Sequence, residues 1–121
     1  MPRYIDGFVI PLKKKNLAAY RRLAAQAGKI WMKYGALEYV EALGDDLKIK
    51  GMVTSFPKLA KTRGGETVVF SFIVYKSRAH RDAVNRKVMK DPVLLSLCDP
   101  KKSPFDFKRL AYGGFKALVD L

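Results

Sequence analysis

Glu66-Thr67-Val68-Val69-Phe70-Ser71-Phe72-Ile73-Val74-Tyr75 decides the fold, together with the basic segment Ser77 to Lys90 that follows it. The ten residues are rich in β-branched and aromatic side chains, the make-up of a strand. With a period of two, Val68, Phe70, Phe72 and Val74 share one face, and Thr67, Val69, Ile73 and Tyr75 share the other. A strand apolar on both faces has to be covered on both, so this one is predicted to be central. Ser77 is placed to cap a helix in which His80, Ala83, Val84, Lys87 and Val88 turn toward the sheet. Arg78, Asn85 and Met89 are expected to point away. Asp91-Pro92 ends the helix, because proline disfavours helical backbone at the residue before it.

Arg3 to Leu12 reads as a first strand, with Tyr4, Phe8, Ile10 and Leu12 on one face and Ile5 and Val9 on the other. Asp6 is the odd polar residue on the Phe8 and Ile10 face, and Gly7 leaves room for another backbone or a ligand. Lys13 to Tyr34 is the clearest helix. Asn16 is its expected N-cap, and Leu17, Tyr20, Ala24, Ala27, Trp31 and Tyr34 form one apolar stripe ended by Gly35. The opposite side of this helix carries Lys15, Arg22, Lys29 and Lys33 and no acid. Ala36 to Leu43 is a second strand by context, placing Glu38 and Glu41 on opposite faces. Gly44-Asp45-Asp46 signals a turn, after which Leu47 to Val53 is read as a continuation of the strand. Thr54 to Gly65 reads as a long loop with one helical turn after Ser55. Past the second helix, Val93 to Cys98 is a short apolar turn and Asp99 to Lys108 a proline-punctuated loop. Arg109 to Val119 is the last strand, its Gly113-Gly114 marking a bulge or a close approach.

The order β-α-β-β-α-β is that of an α+β, ferredoxin-like domain over residues 1–121, a four-stranded antiparallel sheet with two helices on one face. Its second face should then be polar. Whichever face of the central strand the helices take, the other keeps at least three large apolar residues, which points to a homodimer packed sheet against sheet.

A chain of 121 residues with 49% hydrophobic and 29% charged content is long enough to bury a core without staples. Its apolar runs are far shorter than the roughly 18 to 20 residues that span a membrane, and Met1 to Asp6 lacks the features of a signal peptide. The single Cys98 excludes an internal disulfide and suits a reducing compartment, so a cytoplasmic location is expected. The net charge of +13 attracts anions and nucleic acid, but no nucleic-acid motif accompanies it, and nucleic acid is the lesser expectation. No metal-ligand spacing, phosphate loop or nucleophile elbow occurs, and no cofactor is expected.

Tyr4-Ile5-Asp6-Gly7-Phe8-Val9-Ile10-Pro11, Gly35-Ala36-Leu37-Glu38-Tyr39, Thr54-Ser55-Phe56-Pro57, the run Glu66 to Asp91 with Tyr75-Lys76-Ser77-Arg78-Ala79-His80-Arg81-Asp82, and Tyr112-Gly113-Gly114 closely resemble the YbaA-like family. These are small bacterial proteins of unknown function within the dimeric α+β barrel superfamily. The resemblance covers almost the whole chain and implies a ferredoxin-like protomer and a homodimer, but no activity. Superfamily members include cofactor-independent monooxygenases, haem-degrading enzymes, dye-decolourising peroxidases and muconolactone isomerase, many with a pocket between sheet and helices. Haem-degrading members use a helix histidine and a first-strand asparagine; Asp6 in that strand counts against haem here.

His80, the only histidine, and Asp6 are the candidate catalytic residues, a proton-transfer pair in that pocket. Structural readings compete: a histidine hydrogen-bonded to Asp6, a tyrosine or backbone, and acids paired with Arg81 or Arg109. Glu38, Tyr39, Lys87 and Tyr112 are the candidate ligand-binding residues, with Lys87 otherwise expected to extend into solvent. Tyr4 and Tyr75 read as amphipathic fillers, Trp31 as core, and Cys98 as a buried small hydrophobe. Three functions follow: a homodimer binding a small molecule, a cofactor-independent oxygenase or isomerase on an aromatic compound, or an anion- or nucleic-acid-binding module using the basic helix faces.

Overall fold

The computed structural model describes residues 1–51 and 53–121. Its elements run β1 (Tyr4–Lys13), α1 (Leu17–Lys33), β2 (Glu38–Leu43), α2 (Phe56–Ala60), β3 (Glu66–Tyr75), α3 (Arg78–Val88), α4 (Pro92–Leu97) and β4 (Ala111–Lys116). The strands form one antiparallel sheet in the order β2-β3-β1-β4, so the doubly apolar stretch lies inside it, as its composition requires. Cross-strand rows fix what the helices cover. Tyr39, Ile73 and Asp6 form one row, and Glu41, Ser71, Phe8 and Tyr112 form the next. The fold is α+β and ferredoxin-like, with α1, α3 and α4 on this face.

The core on the helix side is divided in two. One cluster joins Ile73, Tyr75, Val84, Val88 and Leu94, and the other joins Ile10, Leu12, Tyr20, Ala24 and Val69. Phe8 touches both. The opposite sheet face keeps Phe70 and Phe115 exposed in the protomer, with Val40 beside them. Its far end is partly covered by α2, whose Phe56 meets Phe70 edge-on at 6.0 Å. Among the described residues no helix is long and apolar enough to cross a membrane.

Capping explains most helix boundaries. The Ser77 hydroxyl accepts from His80 N at 3.1 Å, and the Ser55 hydroxyl accepts from Lys58 N, starting the turn expected there. Asp91 does more than end α3: its carboxylate accepts from Val93 N and Leu94 N, so Pro92 opens a further helix, α4, where a plain turn was expected. Asn16 sits at the N-cap position without capping. Its amide donates to the Pro104 carbonyl instead, tying the loop after α4 to the start of α1. Leu47 to Val53 does not extend β2. Leu43 already pairs with Val69, three residues from where β3 begins, so little partner strand remains beyond it. Met52 of that segment lies outside the described residues.

Candidate functional site

Two polar groups stand on the helix face of the sheet, and a cavity lies beside them. Under α3, Asp6 is buried to 1% exposure in a setting of Tyr75, Asn85 and Tyr112. Burial pushes its carboxyl above the usual range, against the pull of the Arg81 guanidinium and the neighbouring hydroxyls and amide. Arg81 Nε lies 3.7 Å from Asp6 Oδ1, close enough for charge attraction and too far for a hydrogen bond. Both atoms are buried without a hydrogen-bond partner among the described residues. Arg81 also donates to the hydroxyls of Tyr4 at 3.2 Å and Tyr112 at 3.3 Å, and its guanidinium lies over the Tyr4 ring. This density needs Gly114, where a Cβ would come within 2.5 Å of the Tyr4 hydroxyl.

Under α1 the second group is built on Glu41. Tyr20 of α1 donates to Glu41 Oε1 at 2.6 Å, and Tyr39, two residues away on β2, donates to Oε2 at 2.8 Å. Burial first, and the adjacent carboxylate second, push both phenols far above their ordinary values, so they act as fixed donors. Gly28 of α1 lets the helix lie against the Tyr39 ring, since a Cβ there would stand 2.7 Å from it. Ser71, cross-strand from Glu41, is buried in the floor.

A cavity of about 200 Å³ separates the two core clusters. Phe8, Ile73, Ala27, Trp31, Leu94 and Phe105 supply its apolar walls, with Tyr20, Tyr39, Glu41 and Ser71 at its polar side. Glu41, Tyr20 and Tyr39 also line a wider groove of about 570 Å³ between α1 and β2, with Arg21 and Lys29 on its rim. The carboxylate therefore stands where the groove meets the cavity. Trp31 donates its indole N–H to Asn85 Oδ1 at 3.1 Å, which fixes that wall to α3.

Of the residues anticipated from sequence, the structure brings Tyr39 into the cavity and Asp6 and Tyr112 into the Arg81 group. His80 and Asp6 are not joined. His80 Nδ1 accepts from Lys76 N at 2.9 Å, tying the ring to the backbone just beyond β3, and its edge meets the Tyr75 ring at 6.0 Å. Glu38 falls on the other sheet face, half-exposed and 3.6 Å from Arg3, because the alternation that brings Tyr39 and Glu41 inward turns it outward. Lys87 is exposed on α3 and reaches no part of the site. Cys98 is exposed at the edge of the cavity and not buried. Asn85, expected to point outward, faces the sheet: its Oδ1 also accepts from the Tyr75 hydroxyl at 3.3 Å. Glu41, Tyr20 and Arg81 were each visible in the sequence, as one of two acids on opposite strand faces, a stripe residue and a possible ion-pair partner. No local motif singled them out.

The family described as "Protein of unknown function (DUF1428)" matches residues 3–107. The chain belongs to it. It is 41% identical over 118 residues to "Uncharacterized protein YbaA" of Escherichia coli K12 and, to the same degree, to that of Shigella flexneri, covering 98% of each chain in both cases. Among solved structures, a "dimeric ferredoxin-like protein" from an uncultured marine organism superposes with a TM-score of 0.59 at 13% identity, over 100% of both chains. A nipsnap family protein with unknown function from Agrobacterium tumefaciens gives 0.62 at 14%, covering 96% of this chain and 88% of that one. At such identities these two likenesses speak for the fold alone.

Proposed function

We propose that this protein is a homodimer that binds a small molecule in the cavity between its sheet and helices. The observation that carries the reading is the divided core. A sealed void of about 200 Å³ would cost on the order of 5 kcal/mol, a large share of a small domain's stability. Here the void instead meets an outer groove, beside a carboxylate and two oriented hydroxyls. Apolar walls with a few converging polar groups are the usual make-up of a ligand site. Dimerisation is supported by the exposed Phe70 and Phe115 on the sheet face away from α1, α3 and α4, and by the solved neighbour that is itself dimeric.

The test of binding uses Trp31, the chain's one tryptophan and a wall of the cavity. Saturable changes in its emission on titration with single-ring aromatic compounds are expected, and Ala27→Leu, which fills the cavity from α1, should abolish them with the fold intact by circular dichroism. Titrations that never saturate, or that Ala27→Leu leaves unchanged, would count against the site. For assembly, light scattering at micromolar concentration should report twice the 13.7 kDa of the protomer. Phe70→Asp should return the protomer mass, and a wild-type protein already at that mass sinks the dimer.

A further inference from the structure

The sheet carries four acids, and three of them have an arginine at hand. Arg81 lies 3.7 Å from Asp6, Arg3 lies 3.6 Å from Glu38, and Arg109 lies 2.6 Å from Glu66. Glu41 has none within 4.0 Å among the described residues, although the chain holds 24 lysines and arginines. Among the described residues its only hydrogen-bond partners are the two tyrosine hydroxyls, one on each oxygen. A carboxylate oxygen offers two acceptor positions, so each keeps one free. Arg21 and Lys29, both exposed on α1, line the outer groove without reaching Glu41.

A negative charge without a cation in contact, beside a largely apolar cavity, selects for a ligand that brings the positive one. The surrounding rings favour the same choice. Tyr20 and Tyr39 flank the carboxylate, and Trp31 lies 6.1 Å from Tyr39, so an ammonium on Glu41 would sit among aromatic side chains. Most of the protein's +13 charge opposes this only weakly, since salt screens fields beyond roughly 8 Å at physiological ionic strength, and the nearer Arg21 and Lys29 have exposed side chains. Size bounds the rest of the molecule. An apolar cavity of about 150 Å³ accepts benzene, so about 200 Å³ here admits one substituted ring or a short branched chain.

We propose that the cavity takes a small amphipathic amine, its ammonium on Glu41 between Tyr20 and Tyr39 and its single apolar ring or chain against Phe8, Ile73 and Trp31. The inference rests on the cavity being a ligand site and adds the charge and size of what enters. The experiment compares three probes of nearly equal shape by Trp31 emission and calorimetry: 2-phenylethylamine, 2-phenylethanol and phenylacetate. The wild-type protein should bind the amine at least tenfold more tightly than the alcohol and should not bind the acid measurably. Glu41→Gln, which keeps an acceptor for one tyrosine, should bring the amine-to-alcohol ratio close to one while leaving alcohol binding in place. Equal binding of amine and alcohol by the wild type overturns the charge selection and leaves the cavity as a ligand site. A preference that survives in folded Glu41→Gln overturns the role of Glu41. If no probe saturates the wild type and Ala27→Leu changes nothing, the ligand-site reading fails and this inference with it. The wild-type ratio decides the matter even if Glu41→Gln does not fold.

Discussion

Asp6 and Glu41 stand on the same face of one sheet, on either side of β3, and the protein treats their charges in opposite ways. Asp6 is almost wholly buried, has an arginine beside it, and is crowded by tyrosines and an asparagine. Glu41 is half-buried, has no arginine within 4.0 Å among the described residues, and borders open volume. The first arrangement is a closed polar core, in which partners from β1, β3, α3 and β4 lock the top of the sheet to α3. The second leaves a charge for something from outside to meet. Burial alone would point to Asp6 as the reactive group, while the balance of charge and space points to Glu41.

The largest effect should come from breaking the closed side. Arg81→Met leaves Asp6 buried without a counter-charge, and we expect a loss of about 3 kcal/mol at neutral pH by urea denaturation. The pH dependence identifies the cause. Asp6 already holds its proton more tightly than an exposed carboxyl, and losing Arg81 tightens it further. A carboxyl whose folded pKa exceeds its unfolded one costs stability as the pH climbs from the unfolded value, ordinarily near 4. The penalty should therefore be larger at pH 8 than at pH 4, and adding Asp6→Asn should recover most of it. A loss equal at both pH values would mean that Arg81 matters through packing and not through Asp6.

A third acid provides the calibration. Glu66 accepts from both Arg109 nitrogens, at 2.6 and 2.8 Å, and from Arg63 N, and the Arg109 pairing holds its carboxyl down at about 2. Here the sign reverses: the contribution is complete above the ordinary carboxylate range and is lost as the pH falls from there toward 2. Arg109→Met should lower the urea midpoint at pH 7 by less than Arg81→Met does, and should flatten the acid limb of the stability curve. An unchanged acid limb would show that this pair is not a source of acid sensitivity.

Gly28→Ala probes the open side. Alanine in place of glycine inside a helix ordinarily gains about 1 kcal/mol. The added methyl would stand 2.7 Å from the Tyr39 ring, and overpacking of that kind costs roughly 1–3 kcal/mol. A net loss of about 1 kcal/mol is expected, with weaker binding of 2-phenylethylamine as Tyr39 shifts. A net gain in stability would show that the ring moves aside freely and that Glu41 does not depend on its position.

The fold was far more legible than the site, for a physical reason. Val68 to Tyr75 carries its burial in its own composition, and the stripe from Leu17 to Tyr34 carries its helix in its spacing, so element order followed from local pattern. A site forms where distant residues converge. Tyr20 and Glu41 are 21 positions apart, and Trp31 and Asn85 are 54 apart, so nothing local announces either pair. Alternation did show that Glu38 and Glu41 face opposite ways. Which of them looks inward depends on the β2–β3 register, which pairs Glu41 with Ser71 and Glu38 with Val74. His80 drew attention as the lone histidine, yet the turn between β3 and α3 engages it through Lys76 N. Asn85 was placed outward on an idealised wheel, and its bonds to Trp31 and Tyr75 show the sheet-facing side of α3 to be wider than the apolar residues mark.

The smallest effect is the most discriminating between the two acids. Tyr20→Phe removes one donor from Glu41 and leaves the ring in place, so its stability cost should be about 1 kcal/mol, the usual net worth of one hydrogen bond. Its effect on binding should run the other way. The Tyr20 hydroxyl holds one acceptor position on Oε1, and removing it opens that position to an ammonium and leaves more negative charge for it. The preference for 2-phenylethylamine over 2-phenylethanol should then rise about twofold, equivalent to roughly 0.4 kcal/mol, while the protein itself becomes less stable. Tyr75→Phe makes the matching cut on the Asp6 side, since that hydroxyl donates to Asn85 beside Asp6, and should leave the preference where it was. If both variants move the ratio, or if Tyr20→Phe lowers it, then the two acids are not independent and Glu41 does not act as the free charge of the pair.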